Sequence, residues 1–369
     1  MPNRPLLTPL AESLPATVPF VGPEAQERSR NKPFRARIGA NESGFGPAPS
    51  VKAAIAEAAE DVWKYADPEN FDLKAALARH LGVAPGNVVI DGGIDGLLGL
   101  VVRLFVDKGQ PVVTSLGGYP TFNYHVAGFG GRLMTVPYEN DRENLQGLVE
   151  AATRENAPLI YFANPDNPMG TWWEADEVQR AIDALPETTL LILDEAYCET
   201  APASALPPLD VSRPNVIRMR TFSKAYGLAG MRCGYAIGEA GVISAFDKVR
   251  NHFGMNRLAI TGALAALEDQ DYLRGVVNEV IACRERIAAI AAANGLAAVP
   301  SATNFVTIDC GSDGAFALKV MQELIARDVF VRKPMAPGLD RCIRVSAGPA
   351  GEIDYFEEVF PQALAAARG

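Results

Sequence analysis

The sequence predicts an α/β fold: a large domain with a mostly parallel, seven-stranded sheet covered by helices, joined to a smaller α+β domain. Three observations predict it. Seven short apolar or β-branched runs fill the first two thirds of the chain, at 87–91, 111–115, 133–136, 159–163, 190–194, 216–220 and 234–237. Helix-like stretches, among them 97–105, 145–155 and 175–185, separate most of them. After about residue 257 the alternation gives way to longer helices with fewer strands. Continuous apolar strands alternating with helices imply a sheet buried on both faces.

Residues 1–40 are rich in proline and weakly periodic, and they read as an N-terminal arm. A helix is expected over 49–65, opened by Pro49 and Ser50. The large domain spans 41–257. The small domain spans 258–369, with helices at 259–267 and 273–294, the second ended by Gly295. A strand at 304–309, a helix at 315–327, strands at 329–332 and 341–346 and a last helix at 352–367 complete it.

The 369 residues are 48% apolar and 21% charged, enough for a sizeable core in two domains. A net charge of −10 without a basic stripe argues against nucleic acid and anionic membrane as partners. No apolar run spans a bilayer, and the first residues lack a signal-peptide layout. The five cysteines form no C-x-x-C pair, and His80, His125 and His252 lack metal spacing. A cytoplasmic enzyme with reduced cysteines and no metal is the reading that follows.

Chemistry concentrates where the strands end, which is where ligands bind in such sheets. The segment TFSKAYGLAGMRCGY (221–235) places Lys224 just past a strand, flanked by hydroxyls and followed by Arg232. A lysine there is ordinarily a solvated surface group. With Ser223 and Arg232 able to donate to phosphate oxygens, this one suits an amine beside a phosphate, free to form an imine with an aldehyde. LLILDEAY (190–197) ends a buried strand in Asp194, which is costly unless it meets a cation such as a pyridinium N–H. Tyr197 three residues on, and Asn167 in the rigid turn YFANPDNPMG (161–170), are candidate donors to an oxygen on that ring. The Gly92-Gly93 turn opens a helix whose first N–H groups, near Ile94 and Asp95, form an anion site.

In this order the segments resemble fold-type I pyridoxal-phosphate enzymes of aminotransferase class I/II, and among them the histidinol-phosphate aminotransferase family. The resemblance runs from about Asn41 to Ala347 and also includes ANESGFGP (40–47), YADPEN (65–70), YPTF (119–122), TNFV (303–306) and IRVSAG (343–348). It implies pyridoxal 5'-phosphate held as a Schiff base on Lys224, which also shuttles the substrate proton. It implies Asp194 at the ring nitrogen, Tyr197 and Asn167 at the 3-oxygen, and Phe122 stacked on the ring. Ile94, Asp95, Thr221, Ser223 and Arg232 would hold the phosphate. Tyr65 would reach the cofactor of a second subunit, which implies a homodimer with shared sites. Arg344 would grip the substrate carboxylate, Arg332 would lie near its distal group, and Asn41 would line the substrate site.

Phe20, Phe122 and Phe253 stand where the family commonly has tyrosines. Phenyl rings cannot donate to a phosphate. The expectation is a more apolar pocket that prefers an aromatic or other amino acid, with histidinol phosphate, an amino-alcohol phosphate, still a candidate substrate and glutamate a candidate donor. Rival readings are a decarboxylase of a phosphorylated amino acid or a β-eliminating lyase on the same cofactor. A ligand-sensing protein is more distant, since no DNA-binding segment precedes residue 40.

Overall fold

The computed structural model describes residues 6–16 and 21–369. The central sheet has seven strands: β1 (Val88–Asp91), β2 (Pro111–Ser115), β3 (Arg132–Val136), β4 (Leu159–Ala163), β5 (Leu190–Asp194), β6 (Val216–Thr221) and β7 (Gly234–Ile237). Their order across the sheet is β3-β2-β4-β5-β6-β7-β1. β7 runs antiparallel to both neighbours, and the other pairings are parallel. All five residues of β5 are buried, as both faces of a covered sheet require.

The helices follow from apolar stripes and polar caps. In Gly93–Phe105 the buried positions Ile94, Leu97, Leu98, Val101 and Val102 recur at helical spacing and pack on the sheet. Asn144 accepts from the Gly147 N–H at 2.7 Å to start Leu145–Glu155. Asn256 does the same for Arg257–Glu268 through Ala259, also at 2.7 Å. Such caps each contribute about 1 kcal/mol.

A second, antiparallel sheet joins Ala297–Ala298, Phe305–Asp309 and Cys342–Ser346. It packs with helices Gln270–Ala293, Gly314–Ala326 and Ala350–Arg368 around Ile287, Ile308, Leu324, Phe356 and Phe360. Ala36 and Ile38 lie in this core, and Ala36–Arg37 pairs in parallel with Val329–Phe330. The last residues of the expected arm are therefore built into the C-terminal core. The strand expected over 329–332 is only two residues long, and Arg332 makes an isolated bridge to Arg344. Pro334, which has no N–H, follows and cannot extend the ladder.

This topology gathers strand ends. β4, β5 and β6 finish side by side at Ala163, Asp194 and Thr221. Because β7 is reversed, its first residue, Gly234, pairs with both Thr221 and Asp91, the last residues of β6 and β1. A cavity of about 230 Å³ opens at this edge.

Candidate active site

Of the residues singled out from sequence, Ile94, Asp95, Asn167, Asp194, Tyr197, Thr221, Ser223, Lys224 and Arg232 all line this one cavity. They come from four separate segments, brought together by the strand order.

One end of the cavity is an anion cradle. Arg232 sits in left-handed backbone, φ +55°, unusual for a residue with a side chain. From there its guanidinium reaches Ser223 Oγ (3.3 Å), the Ala229 carbonyl (2.9 Å) and Asp95 Oδ2 (3.4 Å). Thr221 Oγ1 lies 2.9 Å from Ser223 Oγ and accepts from the Ser223 N–H at 3.0 Å. The backbone that frames the cradle must be bare. A Cβ on Gly93 would come within 2.5 Å of Arg232 Nη2, and one on Gly234 within 2.8 Å of the Ile94 nitrogen. The cradle thus combines hydroxyls, a guanidinium and the N-terminus of Gly93–Phe105, the donor set that suits a phosphate.

The other end carries an amine, a carboxyl and a phenol. Burial, with Arg344 and then Arg232 nearby, pushes the Lys224 amine down to about 8, against partial support from Asp95 and Asp194. Its Nζ donates to the Asn41 carbonyl at 3.3 Å and lies 5.6 Å from the centre of the Tyr197 ring. Burial pushes Asp194 up to about 6, although the Tyr161 hydroxyl (2.6 Å) and the Ala196 N–H (2.9 Å) donate to it. A buried carboxylate with neutral donors alone suits a ring N–H cation. Burial also raises Tyr197, to about 12, and the Asn41 amide donates to its hydroxyl at 3.1 Å. Asn41, in left-handed backbone at φ +56°, is locked by Ser346 and Asn304 and so joins the two sheets behind the lysine.

Arg344 stands beside this group. It donates to Asn167 Oδ1 at 2.5 Å and stacks over the Phe305 ring at 5.0 Å. That bond assigns the oxygen of the Asn167 amide to Arg344 and leaves its NH₂ facing the cavity. Arg344 Nε is buried without a hydrogen bond among the described residues, and Arg344 lies behind Asn167, not on the cavity wall itself. Burial lowers Arg344 to about 10. Arg332 donates to the Val21 carbonyl at 3.1 Å, and burial lowers it too.

The expectations for Phe122 and Phe253 need correction. Phe122 does not face the cavity. As the third residue of helix Pro120–Gly128 it is fully buried in the sheet–helix core, with its ring stacked 4.8 Å from Tyr161. The ring that this segment puts on the cavity wall is Tyr119, just before that helix, whose hydroxyl donates to Asp95 at 2.8 Å. Tyr65 and Phe253 are exposed at the surface, their rings 4.9 Å apart, and neither lines this chain's cavity. Phe20 lies outside the described residues. Phe122 and Phe253 therefore give the expected apolar pocket no support on this chain's own cavity wall. Sequence reasoning also missed Tyr161 and Glu42, both on the wall. Tyr161 sits mid-strand in an apolar run, and only its pairing opposite β5 reveals that it reaches Asp194.

The cavity thus joins an anion cradle, a buried amine of lowered basicity and a buried carboxyl hydrogen-bonded by neutral donors, on a doubly covered α/β sheet. The family model for aminotransferases of class I and II matches residues 37–360. The chain belongs to this family. Its relatives include histidinol-phosphate aminotransferases from Roseiflexus castenholzii, 34% identical over 88% of this chain and 89% of that one, and from an Anaeromyxobacter species, 35% identical over 93% and 95%. The crystal structure of histidinol-phosphate aminotransferase from Sinorhizobium meliloti in complex with pyridoxal-5'-phosphate is 60% identical, covers 98% of both chains and superposes with a TM-score of 0.95.

Proposed function

We propose that the chain is a histidinol-phosphate aminotransferase that carries pyridoxal 5'-phosphate on Lys224. The observation that carries this reading is the cavity itself, with phosphate cradle, amine and cation-seeking carboxyl converging at one sheet edge. Ser223, Thr221, Arg232 and the N–H groups near Ile94 and Asp95 would hold the phosphate. Asp194 would pair with the ring nitrogen, Tyr197 and the Asn167 NH₂ with the ring oxygen, and Tyr119, rather than Phe122, is the ring that the 119–122 segment offers on the wall. When bound, the cofactor supplies an electron sink that acidifies the hydrogen on the substrate's amine-bearing carbon. Lys224, with its basicity lowered toward neutral pH, takes and returns that proton. Arg344, beside Asn167 of the cavity wall, is the candidate to grip the carboxylate of the amino donor by a bidentate pair. Arg332 is the candidate for the phosphate of histidinol phosphate.

The adjoining exposed rings of Tyr65 and Phe253, together with the exposed Trp63 and Phe71, support a homodimer, with Tyr65 directed to the partner's site. Sedimentation of the purified protein tests this: a dimer is expected, and a monomer at micromolar concentration contradicts it. The five free cysteines suit a cytoplasmic enzyme.

The function is tested by incubating purified protein with histidinol phosphate and 2-oxoglutarate, beside parallel reactions with phenylalanine and tyrosine. Glutamate should form at least tenfold faster with histidinol phosphate. Equal or greater rates with the aromatic amino acids contradict the substrate assignment.

A further inference from the structure

Beneath the turn that carries Asn167 lie two buried carboxyls with no role in the chemistry above, Glu143 and Asp166. They hydrogen-bond to each other. Every other contact to them is a donor. Ser115 Oγ donates to Glu143 Oε2 at 2.7 Å and the Ala163 N–H to Oε1 at 3.3 Å. The Tyr138 hydroxyl donates to Asp166 Oδ1 at 2.7 Å and the Met169 N–H to Oδ2 at 2.9 Å. Two touching carboxylates cannot both ionise in a buried site. The charged and titratable groups that face them include Arg344 and Tyr197 toward Asp166, Tyr138 toward both, and Tyr161 toward Glu143. Arg344 is the cation that acts on the pair, and it is on the Asp166 side.

We propose that Glu143 and Asp166 share one proton, held on Glu143, and that the resulting Asp166 anion is a positioning group for Asn167 and Arg344. Burial and the neighbouring Asp166 hold Glu143 well above the carboxylate range, whereas Asp166 is pushed up only to about 6, in line with this asymmetry. The anion acts in two ways. It ties the Asn167 turn through the Met169 N–H, while the Asp166 carbonyl accepts from Gly170 at 3.1 Å. It also offsets the charge of Arg344, whose bond to Asn167 Oδ1 turns the amide NH₂ toward the cavity. The effect on catalysis rests on the aminotransferase reading; the shared proton does not.

Infrared difference spectra of the purified holoenzyme at pH 8, wild type against Glu143→Gln, read the proton directly. A protonated-carboxylic-acid band present in the wild type and lost in the variant supports the sharing. No band, or one that persists in the variant, overturns it whatever the protein's activity. Kinetics test the positioning. Glu143→Gln keeps a donor toward Asp166 and should leave kcat and KM within twofold. Asp166→Asn moves the charge onto Glu143, and KM for the amino donor should rise at least fivefold with kcat changed less than threefold. Tyr138→Phe, which removes one donor and no charge, should raise KM by a smaller factor and serves if Asp166→Asn does not fold. An unchanged KM in the folded variant, or equal losses in Glu143→Gln and Asp166→Asn, overturns the positioning role.

Discussion

Asp194 and Glu195 are adjacent in sequence, both buried at the end of β5, and they are treated in opposite ways. Glu195 meets two cations: Arg218, which also donates to the Pro207 and Pro208 carbonyls, and Arg220, 2.8 Å away. Burial alone would raise its carboxyl, but Arg220 and Arg218 hold it below the usual range. Asp194 points to the other face of the strand, receives only a phenol and a backbone N–H, and is pushed up to about 6. Alternation along a strand sends consecutive side chains to opposite faces. One carboxylate is thus used by the fold, and the other is left for a ligand that brings its own positive charge.

The sharpest way to break this comparison is to remove what each face serves. On the cavity face, Lys224→Ala should lower kcat by about 10³-fold or more, because the proton carrier is lost. Asp194→Asn should lower kcat by about 10²-fold to 10³-fold, as expected when a group that stabilises developing charge is removed. On the other face, Glu195→Gln leaves two buried arginines short of their counter-ion. It should lower the unfolding free energy by about 3–5 kcal/mol in urea titrations, with kcat in the folded protein little changed. If Glu195→Gln lost kcat as Asp194→Asn does, the division of labour between the two faces would be wrong.

The pH dependence of stability sharpens the same contrast. Asp194 has a raised folded pKa, so its contribution is fully present below about pH 4 and is lost as pH rises through about 6. The loss is about 3 kcal/mol in cofactor-free protein. Denaturant titrations between pH 4 and 7 should show this fall in the wild type and lose it in Asp194→Asn. Glu195, with a lowered folded pKa, works the other way: its contribution is present above about 4.5 and is lost as pH falls through the folded value. A smaller effect is kinetic. Lys224 titrates near 8, and the neutral amine is the nucleophile, so cofactor uptake should accelerate as pH rises through about 8 and then level off. A flat rate from pH 7 to 9 would remove the lowered basicity from the argument.

Much of this was legible in the sequence because it depends on local order. Continuous apolar runs marked the strands, and the residues at or just past their ends, Asp194, Thr221, Ser223 and Lys224, are the ones the sheet brings together. What depended on side-chain direction was not legible. Tyr119 and Phe122 lie three residues apart in YPTF, and the helix that starts at Pro120 turns Phe122 inward while Tyr119 stays on the cavity wall. Long-range pairing was equally hidden. Nothing near Ala36 indicates that it pairs with Val329, almost the whole chain away. Glu143 and Asp166, on separate loops, meet only once β3 and β4 are in the same sheet.

Borohydride reduction of the purified holoenzyme, followed by peptide mass mapping, reads the catalytic amine directly. The peptide that contains Lys224 should gain the mass of the reduced cofactor, and no other lysine peptide should. An unmodified Lys224, or a cofactor fixed to a different lysine, would contradict the assignment of the cavity.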